Sequence, residues 1–580
     1  MRLINTKTLE LHEFFSENVP PYAILSHAWG AEEVTFQDWQ NRQLAASKQG
    51  FFKIKNACYQ SLNQNLEWLW VDTNCIDKTS SAELTEAINS MFAYYQKSEV
   101  CFAYLPDVST SSQDRGLLLA QIRGSRWFTR GWTLQELIAP LHLVFYAADW
   151  SRIGRKDRSL ADLITSITNI DMMYLSGQRN ITRASVSKRM SWLANRTTTR
   201  TEDMAYCMLG IFDINMPLLY GEGKRAFFRL QEEIIRGSND HTIFCWEWND
   251  DVPDDWGSLL APWPTVFEGS SGFEGLKMDE LSVFSMTNAG LSIRLPTITT
   301  LGDAYKAASS WFIMLQAAPA STARNNPQAA CIRVSGRSAG DLLYVSRFPY
   351  PPRPMAMSRT LLGNFNTKSL IVMNRLANGK VLTTSRRLSE IYSNKNTITF
   401  IPVFSPPNLQ NGWRFESLHK EYDLNTILLL GAVPITINEQ KFGVGGILAT
   451  SYEKNESKLQ ILLGGRVKQG SVYPLVKLDS AYSEKTWYHW KQHVKAITSA
   501  KPECHFSKSL GITAVLRYSI DVIRGSENCY FLFLVKDESA HSSLSFLSAV
   551  GQCERGNDDD SSDAASDVAE TGAFRFIDRR

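Results

Sequence analysis

Short apolar runs alternate with amphipathic segments over the first 150 residues. The apolar runs predict four strands because each ends at polar residues; they cover 22–25, 66–71, 100–105 and 143–146. Two helices are predicted between them, one through Ile54, Ala57 and Cys58, and one through Leu84, Ile88, Met91 and Tyr95 with Ser80 or Ser81 as cap. Strands and helices alternating in this way form parallel sheets through right-handed crossovers. We therefore predict an α/β N-terminal domain with a doubly wound, mainly parallel sheet.

The pattern changes at about residue 250. Segments rich in β-branched and aromatic residues then follow, separated by Gly, Asn, Ser and Pro, which is typical of an antiparallel sandwich or barrel-like domain; they cover 290–295, 311–315, 331–334, 397–402, 458–463 and 530–535. Before this point, one helix is predicted from near Glu202 to Leu209-Gly210 and another over 222–235. The predicted domains are an α/β domain with a helical extension at 1–250, a β-rich domain at 251–552 and an acidic, disordered tail at 553–580.

Composition and charge narrow the class of protein. The chain of 580 residues carries 61 Lys and Arg against 59 Asp and Glu, a net charge of +2, so no overall field favours nucleic acid as a partner. Nine scattered cysteines without a C-x-x-C pair argue against a disulfide framework and a zinc site, so no metal is predicted. The chain shows no signal-peptide pattern and no run near the ~20 apolar residues of a membrane helix. We expect a soluble, cytoplasmic protein.

The first candidate site follows the first strand, at Ser26, His27, Trp29 and Gly30. Ligands of open α/β sheets bind beyond the carboxyl ends of the strands. Trp29 offers a stacking face, His27 can exchange a proton near neutral pH, and Gly30 lets a ligand approach the backbone. A buried turn, with Trp29 in the core and His27 capping a carbonyl, explains the same residues equally well.

The second candidate site follows the second strand, at Asp72, Cys75 and Asp77. A carboxylate there could hold ribose hydroxyls, a phosphate-bound metal or the N-terminus of the next helix. For Asp77, a cap of the following turn is at least as good an explanation. For Cys75, a small buried thiol is the better supported interpretation, since no local signature of a nucleophile surrounds it.

A third block contains Trp132 and Glu136 on a short predicted helix before the fourth strand. A glutamate in a cleft between apolar and aromatic residues can have its pKa raised or can stabilise a developing cation. The alternative is an exposed helical glutamate beside Arg126 or Arg130. Two further segments favour structural roles, because 196–203 is typical of a helix cap and 220–224 lacks the G-x-x-x-x-G-K-[ST] order of a phosphate loop.

Five blocks together resemble the successive signature blocks of the fungal heterokaryon incompatibility (HET) domain; they cover 22–30, 70–77, 130–140, 200–206 and 219–223. The resemblance implies a domain that triggers programmed cell death when genetically different hyphae fuse, or when a sensor domain is activated. Some members of that family attach the domain to a nucleotide-binding sensor and propeller repeats. Here the β-rich region takes their place, and we expect it to hold the first domain inactive or to sense a protein partner or ligand.

The stretch Trp132-x-Leu-x-Glu-Leu137 also resembles plant Toll/interleukin-1 receptor (TIR) domains, in which the glutamate is required for cleaving the nicotinamide–ribose bond of NAD. This likeness implies that Glu136 is the catalytic residue of an NAD hydrolase that works as a homo-oligomer and needs no cofactor beyond its substrate. Such a carboxylate stabilises the positive charge that develops on the ribose. The expected substrate-binding residues are Ser26, His27, Trp29, Gly30, Asp72, Cys75 and Trp132, with Trp29 stacking on a ring, His27 orienting a phosphate or hydroxyl and Asp72 binding ribose.

Two other functions remain open. A non-enzymatic adaptor would trigger death by recruiting a partner through self-assembly, and it should tolerate Glu136→Gln. A metal-dependent nuclease built on Asp72, Asp77 and Glu136 would be abolished by a chelator, but the chain lacks the basic patch that nucleic acid requires.

Overall fold

The chain divides into two units. The first unit comprises Met1–Val252 and Leu260–Gly275, and the second comprises Pro253–Leu259 and Leu276–Arg580. The structure is a computed structural model, and the residues that it describes are 1–15, 18–111, 114–276, 282–299, 309–320, 328–348, 353–358, 366–374, 397–405, 413–417, 433–436, 442–451, 458–468, 471–479, 505–507, 512–519 and 528–536. The acidic tail predicted at 553–580 lies outside these residues.

A seven-stranded sheet forms the centre of the first unit. Its strands are β1 Arg2–Asn5, β2 Leu11–Glu13, β3 Ala23–His27, β4 Trp68–Trp70, β5 Val100–Tyr104, β6 Leu143–Tyr146 and β7 Arg152–Arg155, and a separate short strand, β8, covers Phe273–Gly275. All four predicted strands are present as β3 to β6, although β4 is shorter than its apolar run. The residues of β3, β5 and β6 are all buried, which explains why the sequence reveals these strands.

The sheet is mixed, which corrects the expectation of a mainly parallel one. Its order is β2-β1-β4-β3-β5-β6-β7, in which the three pairings among β4, β3, β5 and β6 are parallel. The three outer pairings, which involve β1, β2 and β7, are antiparallel. These three strands were not predicted because they are only three or four residues long and partly polar.

Twelve α-helices are described in the first unit: α1 Phe36–Trp39, α2 Arg42–Ser47, α3 Gln49–Asn63, α4 Ser81–Gln96, α5 Arg115–Gly124, α6 Thr133–Ile138, α7 Ala161–Thr168, α8 Met172–Leu175, α9 Val186–Ser191, α10 Asp203–Tyr206, α11 Leu209–Phe212 and α12 Arg225–Gly237. Short 3-10 helices cover Arg126–Thr129, Ile181–Arg183, His241–Phe244 and Pro264–Phe267. The two helices predicted from apolar spacing are α3 and α4. Ser80 caps α4, since its hydroxyl accepts the backbone N–H of Glu83 at 3.4 Å.

The strand order fixes where a ligand would bind. The chain enters the parallel part at β3, moves to β4 on one side and then crosses to β5 on the other. Right-handed crossovers therefore place α3 and α4 on opposite faces of the sheet. In sheets of this order, ligands bind at the carboxyl ends of the strands where the direction of winding reverses. Here that point lies between β3 and β5.

A buried lysine fixes the end of the short helix α6. The ammonium of Lys156 donates to the carbonyl oxygens of Leu137 at 2.9 Å and Pro140 at 2.5 Å. These are carbonyls that a helix C-terminus leaves without an internal partner, and a cation is favourable there. Burial lowers the pKa of Lys156 to about 8. No sequence pattern indicated this contact.

The helical extension differs from its prediction. The segment predicted as one helix, from near Glu202 to Gly210, forms two, α10 and α11. Gly210 does not close the helix, because it lies inside α11, and Asp213 beyond the helix adopts the left-handed conformation at φ 57°. A glycine is needed at 210 because an added Cβ would lie 2.0 Å from the Cβ of Phe92 on α4.

The second unit is built from strands. Those described are β9 Phe284–Thr287, β10 Gly290–Thr299, β11 Ser309–Met314, β12 Ala317–Pro319, β13 Gln328–Ala339, β14 Leu342–Arg347, β15 Met355–Ser358, β16 Asn366–Val372, β17 Thr397–Ser405, β18 Trp413–Ser417, β19 Val433–Thr436, β20 Phe442–Ser451, β21 Lys458–Lys468, β22 Ser471–Asp479, β23 His505–Ser507, β24 Ile512–Ser519 and β25 Asn528–Lys536. Each of the six apolar segments predicted here overlaps a strand, which confirms the β-rich region.

Five of these strands close into a barrel. The pairings run β11-β10-β16-β14-β13 and return from β13 to β11, with β9 and β15 added at the margin. Two further sheets have the orders β19-β17-β25-β24-β23 and β18-β20-β21-β22. The pairings of β14 with β16 and of β17 with β25 are parallel, so the region is not purely antiparallel as predicted. Within the described ranges, no helix has the length and apolar character needed to cross a bilayer.

The close approach of α11 to α4 gives a test of the fold. Gly210→Ala is expected to lower the free energy of unfolding by about 1–3 kcal/mol, because its methyl group overlaps Phe92. Gly237→Ala is the matched control, since nothing lies within 4 Å of a Cβ added at the end of α12. Denaturant unfolding of the full chain measures both. Equal stability of the two variants would contradict the described packing.

Candidate functional site

The Glu136 carboxyl is buried at the carboxyl end of β3. Glu136 is 7% exposed, and its Oε2 accepts a hydrogen bond from the Ser26 hydroxyl at 2.5 Å. Ser26 in turn accepts the indole N–H of Trp127 at 2.8 Å. The hydroxyl of Tyr95 lies 3.3 Å from the carbonyl oxygen of Leu25 and also contacts Glu136. The exposed glutamate considered as an alternative is therefore wrong for this position.

The surroundings of Glu136 favour its neutral form. Burial raises the pKa of this carboxyl to about 8; the hydrogen bond from Ser26 opposes the rise, and the charge of Asp72 adds to it. A carboxylate taken out of water binds a proton more tightly, and the charge of Arg130 only partly offsets this effect. At pH 7 the described state therefore holds Glu136 mostly protonated, which is typical of functional sites rather than surface glutamates.

His27 lies on the opposite face of the sheet from Ser26, as expected for successive residues of a strand. Its Nε2 is 3.5 Å from Glu33 Oε2 and its Nδ1 is 4.0 Å from Asp72 Oδ1. Glu33 also pairs with Lys53 of α3 and accepts the backbone N–H of Gly30 at 2.5 Å. Although burial alone would raise the pKa of Glu33, the contacts with His27, Lys53 and Gly30 lower it to about 2.

Asp72 follows β4 and contacts the turn after β3. Its Oδ2 accepts the indole N–H of Trp29 at 2.9 Å and lies 3.4 Å from the ammonium of Lys78. That ammonium is also 3.6 Å from the centre of the Trp29 ring. Trp29 is 46% exposed, so the alternative in which this tryptophan fills the core is wrong, and part of its ring lies at the surface.

Several buried polar groups beside this edge make no hydrogen bond of normal geometry. The two ring nitrogens of His27 and both amide atoms of Asn74 make no hydrogen bond within the part of the chain that the structure describes. Buried polar groups normally have a hydrogen-bond partner, and groups without one are typical of places where water or a ligand binds. Asn74 follows Asp72 by two residues and was not predicted as a site residue.

The remaining predicted residues lie in other contacts. Asp77 accepts bonds from the Thr79 backbone N–H at 2.9 Å and hydroxyl at 2.6 Å, which is the structural cap that the sequence suggested. Cys75 is buried, its sulfur accepts the Val71 N–H at 3.4 Å, and burial raises the pKa of its thiol to about 12. Among the described residues, no group of three or more His, Cys, Asp and Glu is arranged to hold a metal ion.

Trp132 belongs to a second cluster, which joins the last three sequence blocks. Burial raises the pKa of Asp203, and contacts from Tyr220 and Trp132 oppose that rise. Tyr220 donates to Asp203 at 3.0 Å, and Glu202 accepts the backbone N–H groups of Gly221 at 2.8 Å and Gly223 at 3.0 Å. These contacts fix the loop before α12. They give Glu202 and Asp203 a structural role, but not the helix cap that was predicted for 196–203, because Glu202 at the N-cap of α10 makes no capping side-chain hydrogen bond.

The structure adds five residues to the site that the sequence did not indicate: Trp127, Tyr95, Glu33, Lys53 and Lys78. Tyr95 had been assigned to the apolar face of α4, where it does pack, but a buried tyrosine hydroxyl normally needs a polar partner. Glu33 and Lys78 lie just beyond the two blocks that contain His27 and Asp72. Their charge, next to those blocks, is the sequence feature that could have indicated them as site residues.

Part of the first unit is similar to known proteins. Residues 22–118 match the model of the family described as "Heterokaryon incompatibility protein (HET)". The matched range lies within the first unit and contains Ser26, His27, Trp29 and Asp72. It ends before Glu136.

A curated relative extends the comparison. Over 225 residues the chain is 46% identical to "Vegetative incompatibility protein HET-E-1" of Podospora anserina, a stretch that covers 38% of this chain and 16% of the relative. The aligned part is thus about a sixth of that relative's length. No solved structure matches the chain, and the likeness to TIR domains stays a prediction.

The raised pKa of Glu136 predicts how stability depends on pH. The unfolded chain loses this proton near pH 4.5, whereas the folded chain keeps it up to about pH 8. Because the folded state binds more protons in this window, the free energy of unfolding falls as pH rises through it, by on the order of a few kcal/mol. Glu136→Gln removes this titration.

We therefore expect Glu136→Gln to gain stability relative to wild type between pH 5 and pH 8. Denaturant midpoints of the full chain at the two pH values measure the gain. Glu86→Gln, an exposed position on α4, is the control and should show no such pH dependence. Parallel curves for wild type and Glu136→Gln would mean that the carboxyl is not held neutral.

Proposed function

We propose that this chain is an effector of heterokaryon (vegetative) incompatibility, and that its N-terminal domain triggers programmed cell death by hydrolysing NAD at Glu136. The family match and the name of the relative from Podospora anserina support the biological role. The buried carboxyl of Glu136, held by Ser26 where the winding of the sheet reverses, carries the chemical part of the proposal.

The reaction breaks the bond between the ribose and the nicotinamide ring. Nicotinamide leaves with the bonding electron pair, positive charge develops on the ribose, and an ionised carboxylate beside it stabilises that charge. Water then adds to the ribose carbon, and the carboxylate can accept the released proton. Because the pyridinium is already cationic, its departure needs no general acid, so a single carboxylate is sufficient.

The protonation of Glu136 fits a cationic substrate. A neutral carboxyl cannot stabilise a developing positive charge, so Glu136 must lose its proton before the bond breaks. A pyridinium bound nearby favours the ionised form, because an opposite charge lowers the pKa of a carboxyl. Substrate binding would thereby ionise the residue that acts on it, while Ser26 and Trp127 hold that residue in one orientation.

Access to Glu136 requires a change from the described state, because the carboxyl is almost completely buried. We propose that this change occurs on self-assembly of the first unit, and that the β-rich unit controls it by sensing a protein partner or ligand.

The proposed function predicts loss of NAD in cells. Induction of the wild-type chain in a host cell is expected to deplete NAD before viability falls, whereas Glu136→Gln at a matched protein level should leave both unchanged. Glu86→Gln makes the same substitution at an exposed site and should behave as wild type. Time courses of NAD and viability in the three cultures provide the measurement. Death with steady NAD, or death caused equally by Glu136→Gln, would favour the adaptor.

The same mechanism predicts the pH dependence of catalysis. If ionised Glu136 is the reacting form, kcat/KM for NAD should rise about tenfold per pH unit below about pH 8 and level off above it. Ser26→Ala removes a hydrogen bond that lowers the pKa, so its profile should shift to higher pH. Nicotinamide release by the assembled full chain measures both profiles. A profile that is flat from pH 5 to pH 9 would exclude this role for Glu136.

A further inference from the structure

One face of the Trp29 indole is covered by a cation from the same chain. The Lys78 ammonium lies 3.6 Å from the centre of the ring and 3.4 Å from Asp72 Oδ2. The same carboxylate oxygen accepts the indole N–H at 2.9 Å. Ring, carboxylate and ammonium therefore form one compact group at the carboxyl edge of the sheet, beside the Glu136 site.

The ring and carboxylate together have the chemistry of a cation site. The face of an indole attracts positive charge, most strongly among the aromatic side chains, and Asp72 adds a formal negative charge at its edge. A flat cation would stack on the indole more completely than an ammonium and would keep the charge balance with Asp72. Trp29 is 46% exposed, so such a ring can approach it from solvent.

Lys78 is suited to leave this position. Burial lowers its pKa, which indicates that the ammonium is less well solvated here than in water, although Asp72 opposes the effect. Its side chain is nevertheless 31% exposed, and its long flexible stem allows the charged end to move into solvent. Displacement by another cation would restore the hydration of Lys78 without leaving Asp72 unpaired.

We propose that Trp29 and Asp72 form a subsite for a flat organic cation of the pyridinium class, and that Lys78 occupies this subsite as an internal competitor until such a ligand displaces it. In the context of NAD hydrolysis, which rests on the proposed function, the subsite receives the nicotinamide ring. Lys78 then sets a threshold of substrate concentration below which the domain stays unoccupied.

The position of Asp72 connects this subsite to the reacting carboxyl. Its other oxygen, Oδ1, lies 4.0 Å from His27, and its charge contributes to the raised pKa of Glu136. A cation bound at Trp29 would therefore act on both faces of the sheet through one carboxylate.

Binding of two small probes tests the subsite without any catalysis. 1-Methylnicotinamide carries a fixed pyridinium charge, and nicotinamide is its neutral counterpart of similar size. Calorimetric titration of the full chain is expected to show that Lys78→Met binds 1-methylnicotinamide at least about tenfold more tightly than wild type, as expected when a cation–π competitor is removed. Lys78→Arg keeps the competing cation and should resemble wild type. Nicotinamide should bind equally to all three.

Further variants separate this proposal from its rivals. Trp29→Leu in the Lys78→Met background should abolish the gain, whereas Glu136→Gln in that background should retain it, even if the chain hydrolyses no NAD. Equal affinity of wild type and Lys78→Met for the cation would overturn the proposal. An equal gain for neutral nicotinamide would also overturn it, because that result reports added space rather than a cation site.

Discussion

The hydrogen bond between Glu136 and Ser26 is the contact on which the described site depends. It joins a six-residue helix to the centre of the sheet, 110 positions away along the chain. Trp127 completes the contact on one side, and the Lys156 ammonium holds the far end of the helix. Without these contacts, a carboxyl in this apolar position would turn towards water, because burying it costs free energy that only partners can offset. Its unusual protonation follows directly from its place in the fold.

Asp72 is the second residue on which the site depends, because it interacts with groups on both faces of the sheet. The two faces of the sheet carry different chemistry: Glu136, Ser26 and Tyr95 lie on one, and His27 with Glu33 lies on the other. Asp72 stands at the edge between them and interacts with both. The heterokaryon incompatibility model covers this carboxylate and the two turns it connects, but not the glutamate itself. The site is therefore assembled from strand ends that come together only when the parallel sheet forms.

The sequence predicted the parts of the fold that depend on burial. The strands β3 to β6 and the helices α3 and α4 were visible because their apolar residues follow the spacing of the element they form. Gly210 was misread because a glycine near a helix end suggests termination, whereas here it permits close packing against Phe92. The edge strands are too short and polar to leave a pattern.

The candidate site was predictable in its residue types but not in its contacts. Trp29 and Lys78 are far apart in sequence, and their contact exists only because β3 and β4 are neighbours. The burial of Glu136 was equally hidden, since the nearby Arg126 and Arg130 suggested a solvated helix surface. Tyr95 fits the apolar stripe of α4, so the contact of its hydroxyl with Glu136 was not predicted. In each case the missing information was a long-range pairing, which local patterns do not contain.

The closed barrel of the second unit has a consequence for polymerisation. An unpaired strand edge is a template for adding strands from other molecules. The longest barrel strands, β10 with 10 residues and β13 with 12, are paired on both sides. The strands at the margin of the barrel, β9 and β15, have four residues each. The sheet of the first unit likewise ends in strands of three and four residues. Among the described residues, amyloid-like growth on these two sheets therefore finds only short templates, whereas the four-stranded sheet offers a longer one, the nine-residue edge strand β22.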